Sequence, residues 1–254
     1  MLTRRFVRRL QYTELAEGIW YPIGGFQKIV SSMVNIAERK GAHFRLSTKV
    51  SKILLEATDA KRAIGVVLES GEYLYADVVV VNADLIWSLN HLFPGEPTHY
   101  AKRLANSPVS CSSISFYWSL DTVIKELGSH SIFLASEYKE SFDAIFKEHT
   151  VPGDPSFYVN VPSHHDPSAA PEGQSAVIVL VPVGHISAKL SAAEDWDEIV
   201  DKTRKLVIDT IEKRLKISGV RGMIKAEQVN TPVTWAGKFN LHRGSILGLS
   251  HSFL

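Results

Sequence analysis

Three short segments of this sequence have residue types and spacing that could bind a ligand. The first is GIWYPIGGFQKIV, residues 18–30, in which Gly24 and Gly25 directly precede a segment with helical apolar spacing. Glycines at a helix start let the backbone approach a ligand closely. A phosphate site would also need a preceding buried strand and a G-x-G-x-x-G spacing, and neither is present. The segment therefore predicts either the edge of a ligand cavity or a tight turn into a helix.

The second segment is Asn82–Ala83–Asp84, which follows the apolar run at 78–81 and precedes the helical pattern LIWSLNHLF. In open α/β sheets, ligands bind beyond the carboxyl ends of strands. The segment could bind a ligand for that reason. Asp84 could equally act only as the N-cap of the helix that follows.

The third segment is His164–His165–Asp166, whose residue types are those of metal ligands. Adjacent side chains rarely converge on one ion, and no matching partner is evident elsewhere in the sequence. We therefore expect a solvated loop and no metal site. The sequence also lacks the G-x-S-x-G and H-E-x-x-H motifs, so it assigns no catalytic residue.

Composition restricts the class of protein. The chain has 254 residues, of which 45% are apolar and 22% charged, as expected for a globular protein with a core. The formal net charge of +1 gives no strong field for binding nucleic acid. Cys111 is the only cysteine, which excludes an internal disulfide and fits a reducing compartment. No apolar run approaches the ~20 residues of a membrane-spanning helix, and no secretory signal is evident, so we expect an intracellular protein. The basic stretch Arg4–Arg9 indicates a solvated or disordered start, contact with anionic lipid or a signal for organelle import.

The first elements follow from a change in apolar period. The spacing after Gly25 predicts an amphipathic helix that ends at Gly41, and the alternation over 44–50 predicts a strand. The apolar phase then slips near Ser51–Lys52, which indicates a bulge. Two more strands with a turn at Ser70–Gly71 follow, and the run at 78–81 predicts a strand covered on both faces.

The second half contains several strand patterns and one long helix, which Ser191 and Glu194 open as a capping box and Gly219 ends. The fold class is therefore α/β (α+β), with an antiparallel meander on a helix and a larger mixed sheet flanked by the long helix. We divide the chain into a basic start (1–17), a first lobe (18–92), a second lobe (93–228) and a return segment (229–254) that crosses back to the first lobe.

Several segments resemble one family. From residue 10 to its end, the chain is similar to the phytoene desaturases of bacterial and fungal type, closest to the fungal form, which are FAD-dependent carotenoid enzymes of the flavin amine oxidase-like group. P-x-G-G before an amphipathic helix and V-x-x-I in the next strand are shared by many flavoproteins of that group. The segments HHDPSAAPEG and FNLHRGSILGLSH narrow the resemblance to this family.

The resemblance implies a partial FAD/NAD(P)-binding, Rossmann-like flavoprotein fold. Residues 18–92 would be part of the FAD-binding domain, 93–228 the substrate-binding domain, and 229–254 the return toward the FAD domain. The implied cofactor-binding residues are Pro22, Gly24, Gly25, Val50, Asn82 and Ala83. The candidate substrate-cavity residues are Tyr21, Phe116, Trp118, Tyr158 and Trp235.

The implied reaction is hydride transfer from a saturated carbon of phytoene to the flavin of FAD, with loss of a neighbouring proton. The implied partners are phytoene or a related polyene lipid and a membrane surface to which the enzyme is peripheral, with no nucleic acid. Two alternatives stay open: a carotenoid or retinoid saturase or isomerase of the same fold, and a non-catalytic fragment that binds lipid or a partner.

The family's two glycine-rich flavin segments have no counterpart here. We therefore expect an intact enzyme that is longer at both ends. We also expect that the isolated chain neither retains FAD nor desaturates phytoene.

Overall fold

The computed structural model describes residue 12 and residues 15–18, 20–59 and 62–250. The basic stretch Arg4–Arg9 lies outside the described residues. Within them the chain forms two antiparallel sheets, one of three strands and one of five. The small sheet lies in the first lobe and the large sheet in the second.

Helix α1, Phe26–Arg39, forms where the apolar period predicts a helix. Gly24 and Gly25 precede it with φ of 87° and 74°, a backbone conformation that favours glycine. None of its residues is buried, and its apolar stripe faces solvent. The pattern therefore predicts the helix correctly, but the described residues supply no surface to cover it.

The small sheet is the predicted meander, with strands β1 (Val50–Leu55), β2 (Ala63–Leu68) and β3 (Tyr73–Tyr75). The predicted bulge is confirmed by a register shift between Val50 and Lys52 against β2. The predicted turn is also confirmed, since Gly71 N–H donates to Leu68 O at 3.0 Å.

The predicted strand at 44–50 is wrong except for its last residue. Strand β2 ends at Leu68, directly opposite Val50, so the residues before Val50 have no strand to pair with. They form a turn with Ser47 at φ 51° instead. Arg45 binds Glu72 there through two hydrogen bonds of 2.9 and 2.7 Å.

The predicted covered strand at 78–81 is also wrong. This segment has no strand partner among the described residues, and Val78 and Val80 are 74% and 85% exposed. An apolar run without alternation predicts burial on both faces, but burial requires elements on both sides. Helices α2 (Leu85–His91) and α3 (His99–Ala105) follow this segment.

The large sheet has the strand order β5-β6-β7-β4-β8. Its strands are β4 (Ser112–Leu120), β5 (His130–Phe133), β6 (Phe157–Asn160), β7 (Ser175–Val183) and β8 (Ile224–Asn230). Every pairing is antiparallel, so the prediction of a mixed sheet is wrong for these strands. Helix α4 (Tyr138–Asp143) and a short π-helix (Ala144–Glu148) lie between β5 and β6.

One face of the large sheet forms the core with the long helix α5, Trp196–Leu215. The helix begins later than predicted, because Asp195 rather than Ser191 caps it: its carboxylate accepts the Glu198 N–H at 3.1 Å. It ends before Gly219, at Lys216, which adopts the left-handed conformation. Val207 and Ile211 of α5 are among the core residues that are fully buried.

The opposite face of the large sheet is only partly covered. Residues directly opposite each other in an antiparallel pair lie on the same face, so the strand register identifies this surface. Its aliphatic members Ile178 and Leu180 are half-buried, whereas Ile132 is exposed. We call this surface the open face; it comprises His130, Ile132, Tyr158, Asn160, Ile178, Leu180, Ser115 and Tyr117.

The last described part of the chain packs against the residues just before β4. Helices α6 (Val220–Met223) and α7 (Pro232–Phe239) flank β8. Ile246 N–H then donates to Cys111 O at 3.1 Å, and Ser110 N–H donates to Gly248 O at 2.8 Å. Among the described residues, no helix is long and apolar enough to cross a membrane.

Candidate functional site

A cleft of about 300 Å³ in the first lobe gathers three of the six cofactor-binding residues that the resemblance implies. Val50, Asn82 and Ala83 line it together with apolar side chains of β1, β2 and α2. Asn240, from the return segment, lines it as well. Residues separated by more than 30 positions in sequence therefore meet at one site.

Local structure explains how the cleft is formed. Val50 starts β1 just before the bulge, and the Ile53 N–H donates to Leu92 O at 2.7 Å, which joins β1 to the end of α2. Asp84 accepts the Trp87 N–H at 2.8 Å, so the N-cap role expected for it is confirmed. The helix thus begins directly after Asn82 and Ala83.

Of the polar residues at the cleft, Lys49 is paired with Glu69, whereas the polar groups of Asn82 and Ala83 are not used by the fold. Within the described part of the chain, Asn82 and Ala83 make no hydrogen bond, so their backbone and amide groups are available to a ligand. The walls are apolar, with Ile53 buried and Val66 half-buried. This combination of apolar walls and a few polar groups suits a flat heteroaromatic ligand.

The other three implied cofactor residues lie elsewhere, in the turn before α1. Gly25 N–H donates to Pro22 O at 2.9 Å, and the ring of Tyr21 meets Phe26 edge-on at 5.5 Å. None of these residues lines the cleft. Instead, Gly24 N–H donates to Oδ2 of Asp166 at 2.6 Å, so the turn is bonded to the second lobe.

Asp166 corrects the expectation of a solvated loop at 164–166. Its side chain is buried, although His165 beside it is exposed. Its second oxygen accepts from Ser168 N at 3.0 Å and Ser168 Oγ at 2.6 Å. The hydroxyl of Ser168 and the N–H of Gly24 lower the pKa of this carboxyl group, so it is ionised at neutral pH.

Two of the candidate cavity residues, Phe116 and Trp118, belong to the core face of the sheet. Both are buried in the cluster that includes the inner side of α5, away from the open face. Trp118 donates its indole N–H to Glu227 Oε2 at 2.6 Å. Alternation along β4 explains this placement, because Ser115 and Tyr117 point to the other side.

Two other candidates, Tyr21 and Tyr158, interact electrostatically. Tyr158 is on the open face, and its hydroxyl is 2.6 Å from Nδ1 of His130. Burial raises the pKa of Tyr158, and the neighbouring Tyr21 adds to the effect. The remaining candidate, Trp235, is half-buried on α7 and donates its indole N–H to Ser113 O at 2.9 Å.

Sequence reasoning missed a histidine pair, His149 and His185, whose ring centres are 4.2 Å apart. Gly184 permits this approach, since a Cβ there would lie 2.2 Å from the carbonyl carbon of His149. Burial, followed by the charges of His149 and Arg243, lowers the pKa of His185 to about 4. No sequence signal joins the two histidines; the glycine beside His185 is the only local sign of a close contact.

Comparison with known proteins places these features in a family. The profile of the family described as flavin containing amine oxidoreductase matches residues 3–220. The chain is 54% identical over 250 residues to a phytoene desaturase of Neurospora crassa, covering 96% of this chain and 42% of that protein. It is 50% identical over 261 residues to a phytoene desaturase of Fusarium fujikuroi, with 96% and 45% covered. An all-trans-zeta-carotene desaturase of Myxococcus xanthus is 38% identical over 250 residues, with 96% and 46% covered. The chain thus spans less than half the length of these relatives.

Solved structures agree at the level of the fold. An oxidoreductase from Methanosarcina mazei superposes with a TM-score of 0.56 at 16% identity, covering 82% of this chain and 42% of that one. A protein from Pyrococcus furiosus gives 0.52 at 15% identity, with 82% and 43% covered. The predicted flavoprotein-type fold class and the resemblance to the fungal phytoene desaturases are therefore confirmed, and the chain belongs to the flavin containing amine oxidoreductase family.

Proposed function

We propose that this chain is part of an FAD-dependent carotenoid desaturase that acts on phytoene or a related polyene. The observation that carries the proposal is the cleft that brings together Val50, Asn82 and Ala83, three of the six residues that the resemblance assigns to the cofactor. The similarity to fungal phytoene desaturases over 96% of the chain supports it.

The cleft fits the adenine end of FAD. Its apolar walls suit a flat ring, and the unused groups of Asn82 and Ala83 suit the ring nitrogens. The diphosphate would need backbone N–H groups at a helix N-terminus after a strand, and the sequence contains no G-x-G-x-x-G for it. When bound, the flavin supplies the hydride-accepting chemistry, and the protein positions the substrate.

The open face fits the polyene. Ile178 and Leu180 present half-buried aliphatic surface beside the aromatic ring of Tyr158. The hydroxyl of Tyr158 and His130 form the polar end of this surface. Such a substrate is a membrane lipid, so we propose that the protein works intracellularly at a membrane surface; the exposed apolar stripe of α1 would suit contact with lipid.

The cofactor part is tested by titrating FAD, up to millimolar concentration, into the ¹⁵N-labelled chain. We expect amide shifts at Val50, Asn82 and Ala83, and we expect Ala83→Trp, which fills the cleft, to abolish them. Ala42→Trp, at an exposed position outside the cleft, is the matched control. Shifts that map to other residues, or that survive Ala83→Trp, would show that the cleft is not the adenine site.

Retention of FAD and turnover of phytoene are tested in separate experiments. Gel filtration with added FAD should leave no stoichiometric flavin on the 254-residue chain, because its sequence contains no G-x-G-x-x-G to bind the diphosphate. Phytoene turnover by the chain alone should be absent. A retained flavin band would contradict this expectation, and product analysis of the whole enzyme would separate a desaturase from a saturase or isomerase.

A further inference from the structure

The start of helix α1 lacks the local groups that normally stabilise a helix N-terminus. Gly25 at the N-cap has no side chain to accept a hydrogen bond, and the first turn contains no acidic residue. The first N–H groups of a helix need acceptors, and its N-terminus carries partial positive charge. A negative group from elsewhere in the chain would therefore stabilise this turn.

Asp166 brings a carboxylate to the turn directly before this N-terminus, from a position 142 residues away. Asp166 is only 2% exposed, and its carboxylate accepts the N–H of Gly24 at 2.6 Å. Ser168 donates two hydrogen bonds to the other oxygen, so the carboxylate is held in one orientation. A charged acceptor that is shielded from water binds an N–H more strongly than a neutral or exposed one.

This hydrogen bond matters because α1 has little else to hold it. The helix has no buried residue. Asp166 lies in the segment that follows β6, the strand that carries Tyr158 of the open face, so its bond to Gly24 joins the turn to that segment. Tyr21 of the turn also adds to the raised pKa of Tyr158. The position of the turn relative to the open face therefore depends on the contact with Asp166.

We propose that Asp166 is a positioning residue that holds the Pro22–Gly25 turn, and with it Tyr21, beside the open face, and so sets the affinity of that face for a polyene. The effect of Asp166 on the affinity for a polyene rests on the proposed function. The role of Asp166 in holding the turn through the Gly24 N–H is independent of that function.

The experiment compares the wild-type chain with Asp166→Ala, Asp166→Asn and the control Asp154→Ala. Asp154 also accepts a backbone N–H on the second lobe, from Ser136 at 2.7 Å, but it does not touch the turn. We expect amide hydrogen exchange at Gly24 to become about tenfold faster in Asp166→Ala, and by a smaller factor in Asp166→Asn, which keeps one carbonyl acceptor. Exchange in strand β4 should stay unchanged in all variants.

The second readout is binding of cis-parinaric acid, a fluorescent conjugated tetraene, to the same proteins. We expect about tenfold weaker binding in Asp166→Ala, partial rescue in Asp166→Asn and no change in Asp154→Ala. If Asp166→Ala does not fold, amide exchange and tetraene binding are both judged from Asp166→Asn.

Unchanged exchange at Gly24 would overturn the positioning role outright. Faster exchange with unchanged binding would overturn the influence of Asp166 on the open face. If the wild-type chain does not bind the tetraene at all, the open face as polyene site is overturned, while the exchange data still decide the role of Asp166 at the turn.

Discussion

Replacing Glu227 with alanine should destabilise the large lobe by about 3 kcal/mol. Its carboxylate binds Arg204 Nη2 at 2.6 Å and Trp118 Nε1 at 2.6 Å, with side chains only 14% exposed for Arg204 and 20% for Glu227. The substitution would leave a poorly solvated guanidinium and an unpaired buried indole N–H. Removing one partner of a buried ion pair costs about 3–5 kcal/mol. Because the pair is only partly buried and Arg204 keeps its contact with Asp201, we expect the lower end of that range.

The assay is urea unfolding followed by far-UV circular dichroism, with Glu227→Gln and Glu69→Ala as comparisons. Glutamine keeps an acceptor for Trp118 and should give a smaller loss. Glu69 pairs with Lys49 at 2.8 Å, but both side chains are 64% exposed. An exposed pair of this kind contributes at most about 1 kcal/mol. Equal losses for the alanine variants of Glu227 and Glu69 would refute the argument from burial.

Three further changes have expected outcomes. Gly65→Ala should destabilise the small sheet by roughly 3 kcal/mol, because its Cβ would lie 2.1 Å from Leu74 O at φ 153°, and the amide spectrum of β1–β3 should report the loss. The pKa of His185 is about 4 when folded and 6.5 when unfolded, so the unfolded chain binds the extra proton between those values and stability should fall as pH drops from 6.5 to about 4. Urea midpoints measured across that window should vary less in His185→Phe. Asp84→Ala should remove about 1 kcal/mol by unpairing the Trp87 N–H, seen as faster amide exchange in α2.

Features set by neighbouring residues could be predicted from the sequence. The apolar period and the glycine before it predicted α1, because the helical period needs no distant partner. The phase slip at Ser51–Lys52 predicted the bulge, since a side chain can change faces only if an extra residue enters the strand. The cap at Asp84 depends on a contact only three residues away.

Features set by distant partners could not be predicted. Strand β1 starts where β2 stops, so its first residue depends on pairing rather than on alternation. The run at 78–81 has the composition of a covered strand, but composition does not supply the covering surface. From the sequence alone, Asp166 is predicted to be a loop residue. Its hydrogen bond with Gly24 forms only in the folded chain, and no spacing rule connects the two positions.

Cys111, the single cysteine of the sequence, allows the contact of the return segment to be followed by the rate of thiol modification. The Cys111 carbonyl accepts the Ile246 N–H, the thiol is half-buried, and burial raises its pKa, so local opening should speed its reaction with a disulfide reagent. Since the sequence has no second cysteine, the rate of thiol modification reports on one position. That position lies in the contact between residues 246–250 and residues 108–111, which ties the return segment to the start of β4.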